Sequence, residues 1–139
     1  MIKKSEAAQL LRIVDANFNR AKEGLRVCED VARYALNRPA ITREFKDIRH
    51  RLTQAVGSLE MVHLLKARDI EGDVGRGSTT SEFKRQDLKD IFFANAQRVK
   101  ESLRVLEEIT KLLDVSCARK IKELRYKTYA LEQKTITRC

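Results

Sequence analysis

Two runs in this chain of 139 residues, ANFNRAKEGLRV (16–27) and ANAQRVKESLRV (94–105), agree at eight of twelve positions, seventy-eight residues apart. Five of the eight matches are polar. Asn17, Arg20, Lys22, Glu23 and Arg26 return as Asn95, Arg98, Lys100, Glu101 and Arg104, and Glu29 returns as Glu107 just beyond. Guanidinium groups fork onto phosphate or carboxylate oxygens, carboxylates orient or accept protons, and an amide offers a donor and an acceptor together. The set therefore carries the groups needed to hold a polar, anionic small molecule. The competing account is a solvated face laced by the i,i+3 pairs Arg20–Glu23, Arg26–Glu29, Arg98–Glu101 and Arg104–Glu107, each worth roughly 0.2–0.5 kcal/mol. Pairs that weak give two diverged copies little reason to keep Arg as Arg and Glu as Glu.

A second stretch, ARDIEGDVGRGSTT (67–80), has no copy and holds three of the five glycines. Glycines at 72, 75 and 77 predict φ > 0 and close approach of backbone to a ligand, with N–H groups free for phosphate oxygens. Arg68 and Arg76 would add forked donors, and Asp69 or Asp73 could carry a magnesium ion. The spacing matches neither the dinucleotide glycine fingerprint nor the Gly-Lys-Ser/Thr phosphate loop, so a flexible crossover is the alternative. Asp15 stands where the second copy has Phe93. A polar residue at a break in the symmetry is where a single active centre is expected. His50 and His63 lie on a helical stretch, where a lone histidine is more often surface or capped core than catalyst.

These groups need elements to carry them. Apolar residues recur at about 100° per residue through 6–37, placing Ala21, Gly24, Leu25, Cys28, Val31, Ala32 and Ala35 on one arc, until Pro39 stops the helix. At ~1.5 Å per residue that helix is long enough to bend or break near Asp15. Thr42 would cap a second helix to about Lys66, with Phe45, Ile48, Leu52, Ala55, Val56, Leu59 and Met61 or Val62 facing inward. After the linker 67–81 the pattern repeats over 82–113 and over 117–135, the last helix capped by Ser116. REFKDIRHRL (43–52) aligns with RKIKELRYKT (119–128), so the repeated unit is a helical hairpin. The expected fold is all-α, one domain: a four-helix bundle of two duplicated hairpins (about 6–66 and 82–135) related by a pseudo-two-fold axis, with a Gly-rich crossover. Asn17 and Asn95 fall inside the apolar arc, so Asn17 is expected to hydrogen-bond the facing helix or a ligand.

Composition agrees: 42% hydrophobic residues suffice for one core, and one Pro with five Gly favours helices. No apolar run nears the roughly 20 residues that span a bilayer, and 1–12 lacks a signal-peptide core, so a cytoplasmic location is expected. Cys28, Cys117 and Cys139 are odd in number and lack metal-ligand spacing, as in a reducing compartment, with Cys28 a packing residue. The net charge of +9 is concentrated in 115–139, which makes a basic helical nucleic-acid-binding module one alternative function. Against it, Ile121, Leu124 and Leu131 interleave those charges as in a packed helix. Phe92 and Phe93 suggest an apolar flank for a homodimer.

The run RIVDANFNRAKEGLRVCEDVARYAL, followed by IRHRL and ARDIEGDVGRG, resembles a domain found ahead of the synthase barrel in some bacterial thiamine-phosphate synthases and also found alone. That family is regarded as an alternative hydroxymethylpyrimidine phosphate kinase. The resemblance covers Arg12 to about Arg125. It implies an enzyme that phosphorylates 4-amino-5-hydroxymethyl-2-methylpyrimidine phosphate to its diphosphate, with ATP as cosubstrate and Mg2+. A (β/α)₈ barrel needs about 250 residues, so the kinase alone, or a piece cut from a fusion, is expected. Phosphoryl transfer asks the protein mainly for positioning and charge. Asp15, Arg20 and Glu23 are then the catalytic candidates. Asn17, Arg26, His50, Asn95, Arg98 and Glu101 are assigned to the substrate, the two amides matching the edge of an aminopyrimidine. Arg49, Arg68, Gly75, Arg76 and Gly77 are assigned to phosphates and nucleotide, and Asp69 and Asp73 to the metal. A further alternative is a non-catalytic domain that accompanies thiamine-phosphate synthase.

Overall fold

The computed structural model describes residues 4–137, leaving residues 1–3, Arg138 and Cys139 outside the described residues. The elements are α1 (Lys4–Asp30), a π-helical turn (Val31–Ala35), α2 (Pro39–Val56), a 3₁₀ turn (Gly57–Leu59), α3 (Met61–Ala67), a second 3₁₀ turn (Thr80–Phe83), α4 (Leu88–Thr110) and α5 (Val115–Thr137). The all-α expectation holds, with no strand among the described residues.

Local chemistry sets the boundaries. Asn37 adopts φ 51, a left-handed conformation that asparagine tolerates, and so ends the first helix. Arg38 is extended, as the residue before a proline is driven to be, and Pro39 opens α2 at a position where its missing N–H is no loss. Thr42 is therefore no cap; its hydroxyl donates to the Arg38 carbonyl at 2.8 Å. Helix α1 runs unbroken through Asp15, and its irregularity comes later, at the π turn. The second helix does not reach Lys66 in one piece: Glu60, at φ 59, separates the 3₁₀ turn from α3. Helix α4 starts at Leu88 because Asp87 caps it, accepting from the Asp90 N–H at 2.8 Å.

Asp114, in place of Ser116, caps α5. Its carboxylate accepts from the Ser116 and Cys117 N–H groups at 3.0 and 3.3 Å and from the Ser58 hydroxyl at 2.9 Å. The Ser58 bond foremost, with the two backbone donors, holds this carboxyl below the ordinary aspartate value of 3.8. A depressed folded-state pKa stabilises the fold above the unfolded value, and that stabilisation disappears as pH falls through the folded value. Thermal melts should therefore find Asp114→Ala less stable than wild type at neutral pH, with the gap closing once acid has protonated the wild-type carboxylate.

Helices α1, α4, α5 and α2 form a closed ring of neighbours, and α3 lies against α1. Gly24 abuts the Asn95 carbonyl and Val99, whereas Cys28, further along α1, lies against the carbonyl of Phe92, so α1 and α4 run antiparallel. Buried residues coincide at offsets of seventy-eight between α1 and α4 (Leu25/Leu103, Cys28/Leu106) and seventy-six between α2 and α5 (Phe45/Ile121, Ile48/Leu124, Ala55/Leu131). Two copies of one hairpin thus share one core. Val31 is only half-buried and Ala35 exposed, and in the second segment Leu64 is buried where Met61 and Val62 are exposed. Phe92 is core, edge-on to Phe45 at 6.0 Å, which removes it from the apolar flank expected of a homodimer.

The crossing at Gly24 is tight. A Cβ there would come within 2.7 Å of Val99 Cγ2 and 3.0 Å of the Asn95 carbonyl oxygen, and the backbone oxygen cannot turn aside. Overpacking typically costs about 1–3 kcal/mol, more than the roughly 1 kcal/mol that alanine gains over glycine in a helix. Gly24→Ala should lower stability by up to about 2 kcal/mol, as read from denaturant midpoints.

Among the described residues, no helix is long and apolar enough to cross a membrane.

Candidate functional site

Much of the conserved charge between the two halves serves the hairpins. Glu29 meets Arg49 of α2 at 3.1 Å, and at the equivalent positions Glu107 meets Arg125 of α5 at 2.9 Å. The Glu29 side chain is 4% exposed and that of Arg49 16%, so each bond ties the two helices of a hairpin in a half-dry seam. The bond to Glu107 also raises the Arg125 pKa. Of the expected i,i+3 pairs, Arg104–Glu107 occurs at 3.6 Å, while Arg26 reaches Asp30 instead, at 3.5 Å.

The symmetry breaks at Asp15. This residue is 5% exposed, and its two oxygens take Arg68 Nε at 2.7 Å and Nη2 at 2.8 Å, with the Asn19 amide adding a third donor at 3.2 Å. The bidentate bond, and then the attraction of the carboxylate, raise the Arg68 pKa. Next to it, Arg12 donates to the Asp69 carbonyl at 3.1 Å. The two bonds fasten the start of the glycine-rich crossover to the N-terminal half of α1. Hairpin two has Phe93 in place of Asp15 and no second crossover, so this latch occurs once.

The remaining candidates are distributed unevenly. Asn17 and Asn95 donate to the carbonyls of Ile13 and Ile91 in their own helices, at 3.0 and 2.8 Å; the predicted bond from Asn17 to a facing helix is not made. Arg20, Glu23, Arg98 and Glu101 are exposed, so the matched residues do not enclose a chamber. Glu101 accepts from Gln97 at 3.0 Å. Arg20 lies one turn before Gly24 and Arg98 one turn after Asn95, which sets both along the α1–α4 seam. His50 and His63 are exposed, and His63 lies 3.3 Å from Glu60.

Inside the crossover, Asp69 accepts from the Gly72 N–H at 2.8 Å and Asp73 from the Gly75 N–H at 2.9 Å. Two of the backbone donors expected to meet phosphate are thus turned onto the loop's own carboxylates. No glycine of the described residues has positive φ, and a Cβ at Gly72 would have to push aside the exposed Asp69 carboxylate. Arg76 pairs with Glu71 at 3.1 Å, both exposed, and Gly77 is open to solvent. Surface hollows lie elsewhere, along α5 by Tyr129 and Gln133 and between α2 and α5.

The residues missed were Arg12 and Asn19, and Lys22, although matched to Lys100, was given no role of its own. Asn19 lies one turn beyond Asp15 and Lys22 nearly one turn beyond Asn19, on one flank of α1. Burial, then repulsion from Arg49, hold the Lys22 ammonium below the ordinary lysine value of 10.5. The identity of Lys22 in both copies was the available signal. Cys28 behaves as the packing residue expected, its thiol pushed up to about 12 by burial and then by Glu132.

Two copies of one helical hairpin, with a single carboxylate–guanidinium latch on the first, make this an asymmetric all-α bundle. The chain belongs to the ThiD2 family, whose profile matches residues 12–134. It is 42% identical over 127 residues to a thiamine-phosphate synthase of Rhodopirellula baltica, covering 91% of this chain and 34% of that protein. It is also 44% identical over 124 residues to a thiamine-phosphate synthase of Synechocystis sp., covering 88% and 35%. The chain thus spans about a third of the curated relatives it matches. No solved structure matches it. The family and these relatives put the chain in the context of thiamine biosynthesis.

Proposed function

We propose that this chain is the hydroxymethylpyrimidine phosphate kinase of its family, converting 4-amino-5-hydroxymethyl-2-methylpyrimidine phosphate to the diphosphate with ATP and Mg2+. One observation carries the reading. The two most distinctive segments, the DANFNR run beginning at Asp15 and the RDIEGDVG run beginning at Arg68, are fifty-three residues apart and are joined by the bidentate Asp15–Arg68 bond. A phosphoryl-transfer enzyme needs the groups that meet its phosphates held in register with the substrate, and this bond fixes Arg68 against α1 at the DANFNR run.

With both oxygens facing the guanidinium, Asp15 acts as a positioning residue for Arg68. The second Arg68 ω-nitrogen remains available for phosphate oxygens. Arg20, Arg98 and the amide oxygens of Asn17 and Asn95 are the groups assigned to the pyrimidine, with Arg26, Glu23, Glu101 and His50 as further candidates. Magnesium in such sites is held by one or two carboxylates plus the substrate's phosphates, and the exposed Asp69 and Asp73 fit that donor set. Among the described residues no group of three His, Cys, Asp or Glu could form a complete metal cage. The ion would supply charge neutralisation of the transferring phosphates.

The experiment is incubation of the purified chain with the pyrimidine monophosphate, ATP and magnesium, with diphosphate formation as the readout. A second reading, a non-catalytic domain accompanying a synthase, is favoured by the names of the relatives and by the share of their length outside this chain. It requires that no nucleotide be turned over. A nucleic-acid role draws less support, because Arg125 and Lys134 of the basic α5 are engaged by Glu107 and Glu44.

A further inference from the structure

The internal duplication lets hairpin two serve as a template for hairpin one. One helical face along from the Glu107–Arg125 bond, Lys100 Nζ lies 2.7 Å from Glu132, with the two side chains 13% and 15% exposed, and the ammonium also lies over the Tyr129 ring. The offsets of seventy-eight and seventy-six carry this arrangement back onto Lys22, Val56 and Thr53. The lysine is kept and its carboxylate is not. Lys22 has no ion pair among the described residues; its ammonium lies 5.5 Å from the Phe18 ring centroid, and Glu29, which holds Arg49, lies about two turns further along the same flank of α1. Arg49 bonds Glu29 through Nε, which leaves its terminal nitrogens available. A half-buried ammonium without a carboxylate partner is unfavourable alone and is relieved by an anion with several acceptor oxygens.

We propose that Lys22 and Arg49 form a seat for a phosphate-class oxyanion, which takes at hairpin one the place that the Glu132 carboxylate holds at Lys100. The seat lies about 10 Å along α1 from the Asp15–Arg68 latch, on the same flank. Its location in the site rests on the kinase reading, but its chemistry does not. The anion could be a phosphate of the nucleotide or that of the pyrimidine substrate.

Calorimetric titration of the full chain with inorganic pyrophosphate at low salt tests the seat. Lys22→Met keeps the apolar stem over Phe18 and should weaken binding by at least about tenfold. Lys22→Arg should stay within about threefold, and Lys100→Met, whose charge is internally neutralised, should bind like wild type. Side-chain NMR of Lys22 in the unaltered protein should move on titration, a readout independent of variant folding. Unchanged affinity in Lys22→Met, or a Lys22 signal that ignores pyrophosphate, overturns the proposal. Repeating the titration with a non-hydrolysable ATP analogue and with the pyrimidine monophosphate identifies the source as the ligand whose affinity Lys22→Met reduces. Turnover measured in parallel separates the two claims: pyrophosphate affinity unchanged in Lys22→Met while the wild type forms diphosphate sinks the seat and spares the kinase, whereas Lys22-dependent pyrophosphate binding without any turnover does the reverse.

Discussion

Asp15→Ala is expected to lower kcat/KM for diphosphate formation by about a hundredfold or more, the usual consequence of losing close positioning of a phosphate-binding group. The carboxylate is buried and spends both oxygens on the crossover arginine, so without it Arg68 swings into solvent and the loop loses its strongest attachment to α1. Stability should fall less than activity, because the freed guanidinium is already partly solvated. Arg68→Ala should show the opposite balance: it strands a buried carboxylate with only Asn19 as partner, and it should melt at a lower temperature than Asp15→Ala. Steady-state kinetics and thermal melts on both variants and the double variant check this. If Asp15→Ala retains wild-type activity, the latch has no catalytic importance.

The largest expected loss of stability comes from Arg49→Met, about 3 kcal/mol, since it leaves the Glu29 carboxylate uncompensated in a seam where that side chain is 4% exposed. The residual exposure of Arg49 keeps the figure at the lower end of the range for buried pairs. Replacing both partners, Glu29→Leu with Arg49→Met, should recover most of the loss, because apolar packing can substitute for a buried pair whereas half a pair cannot. At the equivalent site Arg125→Met should be milder, as Arg104 stays within 3.6 Å of Glu107. Urea midpoints for the three variants and the wild type measure these differences. A cost for Arg49→Met below about 1 kcal/mol would mean that water already screens the seam.

The hairpin duplication was legible because a helix repeats its inward positions every 3.6 residues, and the two copies kept the same positions apolar: Leu25 with Leu103, Phe45 with Ile121. The partners of the charges were less legible. A single helix displays i,i+3 neighbours, and the pairs Glu29–Arg49 and Glu107–Arg125 form across a hairpin, although the identity of all four residues between copies was a signal. Helix starts were misplaced wherever an aspartate just upstream, Asp87 or Asp114, outcompeted the hydroxyl residue or pattern edge that was favoured. The break at Glu60 has no local signature, since glutamate is not a residue selected for φ > 0. Asp15 was visible as an asymmetry with Phe93; its arginine was not, because fifty-three residues and a loop lie between them. The glycines of the crossover suggested free backbone donors, and the neighbouring aspartates consumed two of them.

The most direct test follows the phosphorus resonances of a mixture of the folded chain, the pyrimidine monophosphate, ATP and magnesium. The account predicts that a pyrimidine diphosphate and ADP accumulate together with wild type and almost cease to form with Asp15→Ala. A folded, monodisperse wild-type chain that leaves both reactants unchanged would contradict it and leave the role of companion domain in its place.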